Sequence, residues 1–98
     1  MPRALWTPQA ERELDEVLYQ IAVRDGRPAT GERIYLEIRN LVDSYAPPDA
    51  IRRVHPDAPT GWFYVLYKRW LIFYQIHPKG IEVMRIVDGS RDLPAILG

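Results

Sequence analysis

Arginine supplies most of the chemical potential of this chain. The stretch I-E-V-M-R-I-V-D-G-S-R-D-L-P at residues 81–94 places two arginines where they could act. Arg85 falls between Met84 and Ile86 in an apolar, β-branched run that suits a strand with at least one buried face. A guanidinium there needs partners or water, because an unpaired buried charge is costly. It either pairs with an acid (Asp92, Asp88 or a helix carboxylate) or keeps a sheet face cationic for a partner or substrate. Arg91-Asp92 follows the Asp88-Gly89 turn. It reads either as a local ion pair, weak if exposed, or as a partner contact at the end of a rigid strand. Glu82 alternates with Ile81 and Val83 and is expected on the face opposite Arg85, at a rim.

Other chemistries find less support. His55 and His77 are the only histidines; both neighbour prolines and read as solvated loop residues. No cysteine is present, so a thiol nucleophile, a thiolate metal site and a disulfide framework are all excluded. Neither a glycine-rich phosphate loop nor a Gly-x-Ser-x-Gly elbow occurs. No metal or cofactor is expected. Glu11, Glu13, Asp15 and Glu16 lie between apolar positions of a helix and are expected as its solvated face.

The elements that must position these residues follow from periodicity. Met1–Trp6 can form a short strand, and Thr7-Pro8 then reads as a helix N-cap with proline in the first turn. Leu14, Val17, Leu18, Ile21 and Ala22 recur at helical spacing up to Gly26. Ile34, Ile38, Leu41, Val42 and Tyr45 mark a second helix from Pro28, ended by Pro47-Pro48. Residues 46–60 carry four prolines and should be irregular, with an extended piece at Ile51–Val54. Trp62–Tyr67, Trp70–Ile76 and Ile81–Val87 read as an antiparallel meander, joined by Lys68-Arg69 and by a four-residue loop at His77–Gly80. The expectation is a two-layer α+β domain spanning 1–98, ordered β-α-α-β-β-β, with a helical turn or coil at Ser90–Leu97.

Composition bounds the function. Ninety-eight residues with 47% hydrophobic content predict one small globular domain. The absence of a leader pattern or a long apolar run predicts a cytoplasmic protein without membrane association. Net charge is zero, but it is uneven: residues 1–50 hold six basic and nine acidic side chains, residues 51–98 seven and four. That total argues against a general RNA clamp. Eleven aromatics, with Trp62, Trp70 and Tyr74 on the strands, and the apolar tail from Leu93 exceed what so small a chain easily hides. They are expected to form a surface that a second polypeptide covers, leaving the isolated chain aggregation-prone.

The whole pattern resembles the RelE/ParE superfamily of bacterial type II toxins. The resemblance rests on W-T-P-Q-A-E-R-E-L-D-E-V at Trp6–Val17, R-W-L-I-F-Y-Q-I at Arg69–Ile76, and the stretch ending R-D-L-P. Arg85, Gly89, Arg91 and Asp92 match the ParE-like, plasmid-stabilisation pattern, while Asp88 replaces its usual histidine. The resemblance implies a growth-inhibiting toxin silenced by a cognate antitoxin from the same operon, which would contact operator DNA on the toxin's behalf. Trp62, Trp70, Tyr74, Arg85, Arg91, Asp92 and Leu93 are the expected partner-binding residues. ParE-like action on DNA gyrase is the favoured implication; RelE-like cleavage of mRNA on the ribosome and a non-toxic antitoxin-binding module are the alternatives. RNA cleavage would use Arg91 and Arg85 as the cations and would also require proton donors and acceptors. No tyrosine, histidine or lysine follows Gly80; Asp88 and Glu82 stand nearest.

Overall fold

A computed structural model describes residues 1–97 of the chain. Strand β1 (Arg3–Trp6) leads into helix α1 (Pro8–Tyr19), which continues as a π-helical turn over Gln20–Arg24. Thr7 caps α1 as its residue types predict: the hydroxyl oxygen accepts the Ala10 N–H at 3.1 Å. Gly26, at φ 64°, supplies the left-handed step that lets the chain reverse into helix α2 (Pro28–Asp43). Strands β2 (Trp62–Tyr67), β3 (Trp70–His77) and β4 (Gly80–Asp88) follow, and helix α3 (Leu93–Leu97) ends the described chain. The extended piece in the proline-rich connection exists as a bridge between Arg53 and Tyr64 on the outer edge of β2.

The sheet order is β1-β4-β3-β2, antiparallel within the meander, with β1 parallel to β4. β4 is therefore central, and the long hydrophobic run of β3 lies beside it, covered on both faces. Pairing fixes the second loop at two residues, Pro78-Lys79, rather than the four expected, because His77 and Gly80 still face each other in the ladder. Gly80 adopts φ 139°, and a Cβ placed there would sit 2.2 Å from the Arg3 carbonyl oxygen. Only glycine lets β1 approach this closely.

One register shift matters for function. Phe73 pairs with Arg85 and Tyr74 with Val83, so Met84 is an extra residue in β4. Ile81, Val83 and Ile86 consequently all join the helix-side core with Leu14, Val17 and Ile38. The bulge also puts Glu82 and Arg85 on the same face, contrary to simple alternation. They still do not meet, because Glu82 accepts from Gln75 Nε2 at 3.0 Å across the ladder.

A second cluster fills the other face of the sheet. Leu71, Phe73 and Val87 pack there under Leu93, with Ile96, Leu97, Ala58 and Trp62 around them. The apolar tail thus folds back on its own sheet. Leu93 therefore needs no second chain to cover it, while Leu66 and Ile76 remain exposed on the strands.

The helix layer is pinned at its rim by polar contacts. Tyr67 on β2 donates its hydroxyl to Glu37 on α2. Burial and this carboxylate push its phenol up to about 12 from the ordinary 10.0. The fold therefore favours the neutral phenol. Its contribution should be complete below pH 10 and lost as pH rises through 12. Denaturation of wild type against Tyr67→Phe checks this: the stability gap stays constant up to pH 10 and shrinks above it. A gap independent of alkaline pH would refute the assignment.

Candidate functional site

The C-terminal half of β4 carries the site, because β1 stops too soon to cover it. The Thr7 N–H bonds the Val83 carbonyl at 3.1 Å and its hydroxyl donates to that of Met84 at 3.3 Å. Beyond this point the strand edge would leave the Ile86 N–H without a partner, and such groups are almost always satisfied. Glu13 on α1 accepts it at 2.9 Å. The same carboxylate grips Arg85, taking Nε at 3.0–3.1 Å and Nη2 at 2.8 Å. Arg85 Nη1 continues to the Ile96 carbonyl at 3.4 Å. One guanidinium joins strand, helix and tail.

This clamp corrects the solvated reading of Glu13 and meets one of the alternatives open to Arg85, a pair with a helix carboxylate. Glu13 is no solvated surface residue; its side chain is 22% exposed and that of Arg85 17%. Arg85 is accordingly a cation already neutralised, with each of its three guanidinium nitrogens engaged within the chain. The signal for Glu13 was present in the spacing. Ala10, Glu13 and Val17 stand at i, i+3 and i+7, so Glu13 borders the buried stripe formed by Ala10, Leu14 and Val17. Glu11 stays solvent-accessible but is also paired: it binds Arg39 at 2.9–3.0 Å, and that guanidinium lies 4.3 Å from the Trp6 ring centroid. Asp15 and Glu16 are exposed as expected.

Past β4 the chain turns through Asp88. Its Oδ1 accepts from the Ser90 N–H at 2.9 Å and hydroxyl at 2.8 Å, and Oδ2 lies 3.1 Å from Arg69 Nε. The Ser90 bonds, helped by Arg69 and Arg91, hold the carboxyl below its ordinary value. A carboxylate so held stays ionised at neutral pH and serves to shape the turn. Arg91 is exposed and, among the described residues, has no carboxylate within ion-pair distance; the Arg91–Asp92 pair does not form. Asp92 instead accepts the Ala95 N–H at 3.4 Å at the start of α3.

Arg91, Arg24, Arg69 and Glu16 border an open cleft of about 490 Å³ against Val17 and Trp70. Its lining contains no histidine, tyrosine, lysine or cysteine. The carboxylates it offers are Glu13, Glu16 and Asp88, of which the first is clamped and the last held ionised. Beside the unpaired carboxylate Glu16, the cleft presents two unpaired guanidiniums, Arg24 and Arg91, able to bind a carboxylate or phosphate bidentately. Among the described residues no three His, Cys, Asp or Glu side chains are grouped to hold a metal. His55 is not a free loop side chain either. Its ring meets Tyr64 and Phe73 edge-on at 5.2 and 5.8 Å.

The remaining expected partner-binding residues divide by exposure. Trp70 (7% exposed), Tyr74 (1%) and Leu93 (7%) are core within the single chain and offer no preformed surface. Tyr74 even receives Arg52 Nη1 at 3.3 Å, and Trp70 stacks on Tyr67 at 6.5 Å. Trp62 is half-buried against Phe73, and Arg91 and Asp92 are exposed. The apolar side chain most exposed on the strands is Leu66 (58%), on the same face of edge strand β2 as Trp62.

The family model described as ParE toxin of type II toxin-antitoxin system, parDE, matches residues 4–93. The chain belongs to the ParE toxin family. The match contains the whole Glu13–Arg85 clamp and ends on the buried Leu93. A solved structure titled "Chromosomal ParDE TA system from P. aeruginosa" shares the ParE fold, with a TM-score of 0.69 and 17% identity over 90% of this chain and 96% of that one. Comparison with curated proteins finds no match. In this ParE chain the histidine expected from the resemblance is Asp88, whose hydrogen bonds make it a turn-former. No described helix is long and apolar enough to cross a membrane.

Proposed function

We propose that this ParE-family protein is a cytoplasmic toxin that inhibits DNA gyrase and is neutralised by a cognate antitoxin, with Arg91 as the principal target contact. Family membership over residues 4–93 supports the toxin role. The Glu13–Arg85 clamp favours gyrase over ribosomal RNA cleavage. It occupies Arg85, one of the two arginines expected to stabilise a phosphorane, and the cleft that holds Arg91 has no histidine, tyrosine or lysine to move the protons. A stoichiometric poison needs only a docking cation. For the antitoxin, the accessible apolar surface at Leu66 lies on edge strand β2 beyond the Arg53–Tyr64 bridge, which suits pairing by an added strand there.

Purified protein should block gyrase supercoiling while leaving translated mRNA intact. Arg91→Ala should weaken that block at least about tenfold, the scale of one lost charge-assisted contact, without moving the melting temperature. Ribosome-dependent transcript cleavage abolished by Arg91→Ala would replace this reading with the ribonuclease one. Protein inert in both assays would favour a non-toxic antitoxin-binding module.

A further inference from the structure

The end of the molecule at the β2–β3 turn carries a concentration of positive charge that the fold does not use. A second open cleft, of about 510 Å³, lies between the end of the first helix, the start of α2 and that turn. Arg24, Arg27, Arg33, Lys68 and Arg69 line it, against a single carboxylate, Asp25. It adjoins the cleft holding Arg91, and the two share Gln20, Arg24, Arg69 and Trp70. Arg33 is matched by Glu37 at 3.5 Å and Arg69 by Asp88 at 3.1 Å. Arg24, Arg27, Lys68 and Arg91 are exposed and, among the described residues, have no carboxylate within 4.0 Å.

Like charges that outnumber the carboxylates among them, here Arg24, Arg27, Lys68 and Arg91 against the unpaired Asp25 and Glu16, gain nothing for stability and repel one another. A neutral chain with this distribution has segregated its charge rather than lacked it. We infer that this surface binds the phosphate backbone of duplex DNA, without sequence preference, through Arg24, Arg27, Lys68 and Arg91. Six of the seven cations spread over the two clefts are arginines, whose planar forks suit phosphate oxygens. Two adjoining clefts suit a repeating polyanion better than one isolated anion. Single-strand binding by base stacking is disfavoured, because Trp70 is buried and Tyr67 is held by Glu37. The inference concerns the chain alone and stands whether or not gyrase is its target.

The test is fluorescence anisotropy of the purified full chain with a labelled 20-base-pair duplex (about two helical turns). Four phosphate contacts predict a log–log salt slope of about −3.6, hence roughly a hundredfold weaker binding between about 50 and 200 mM salt. Arg24→Gln/Arg27→Gln/Lys68→Gln should cut the slope to about −1 and weaken low-salt binding at least tenfold, with an unchanged melting curve. Arg3→Gln/Lys79→Gln, at the opposite end of the sheet, should bind like wild type. Absent binding at low salt, a flat salt response, or equal losses in both variants would overturn the inference. So would displacement of the duplex by polyglutamate or by a nucleoside triphosphate at equal charge concentration, which would point to an acidic protein or a small ligand.

Discussion

Glu13→Ala should destabilise the protein far more than any other single carboxylate removal. The substitution strips Arg85 of its one anion among the described residues and leaves the Ile86 N–H unpaired at a strand edge. Complete burial would put the loss near 3–5 kcal/mol. Both side chains retain about a fifth of their exposure, so water recovers part of it. We expect about 2–3 kcal/mol, or a melting temperature lower by roughly 10–15 °C for a domain of this size. Glu13→Gln should cost less, because an amide oxygen can still accept from Ile86. The two groups act as a unit, so Glu13→Ala/Arg85→Ala should lose clearly less than the sum of the single losses. Thermal denaturation of the four proteins measures the cycle. Additive losses, or a shift of only a degree or two for Glu13→Ala, would show that the clamp holds nothing together.

That clamp also marks where sequence reasoning stops. Local signals are strong in this chain: Thr7-Pro8 opens α1, Asp25-Gly26 reverses the helices, and the three late strands fall where β-branched and aromatic residues cluster. Each of those depends on neighbours a few positions away. The Arg85 partner lies 72 residues off, across an edge that is open only because β1 ends at Trp6. A helix carboxylate is among the partners open to Arg85, and the spacing of α1 puts Glu13 at the border of the buried stripe, but nothing within α1 says which cation it meets. Simple alternation along I-E-V-M-R-I-V likewise cannot reveal the extra residue at Met84, which reverses the faces of everything after it. The cationic end escaped for the same reason. Arg24 and Arg27 come from the helical hairpin, Lys68 and Arg69 from a strand turn, and only the fold brings them to one cleft.

The tail poses a different problem, since apolar composition states that a segment must be covered but not by what. Leu93→Asp separates the two possibilities. If Leu93 waited for a second chain, the isolated protein would keep its stability and lose only its partner. In the fold observed, Leu93 is 7% exposed over Leu71, Phe73 and Val87. Replacing it removes about 2–3 kcal/mol of apolar burial and forces a charge against an apolar cluster at further cost. A total of roughly 4–5 kcal/mol approaches the whole stability of a domain this small. We therefore expect Leu93→Asp to unfold or aggregate at 37 °C without any partner present, while Arg91→Ala, two residues earlier, melts like wild type. Circular dichroism on the two purified variants decides it. A folded Leu93→Asp chain would return the tail to the partner's side of the interface.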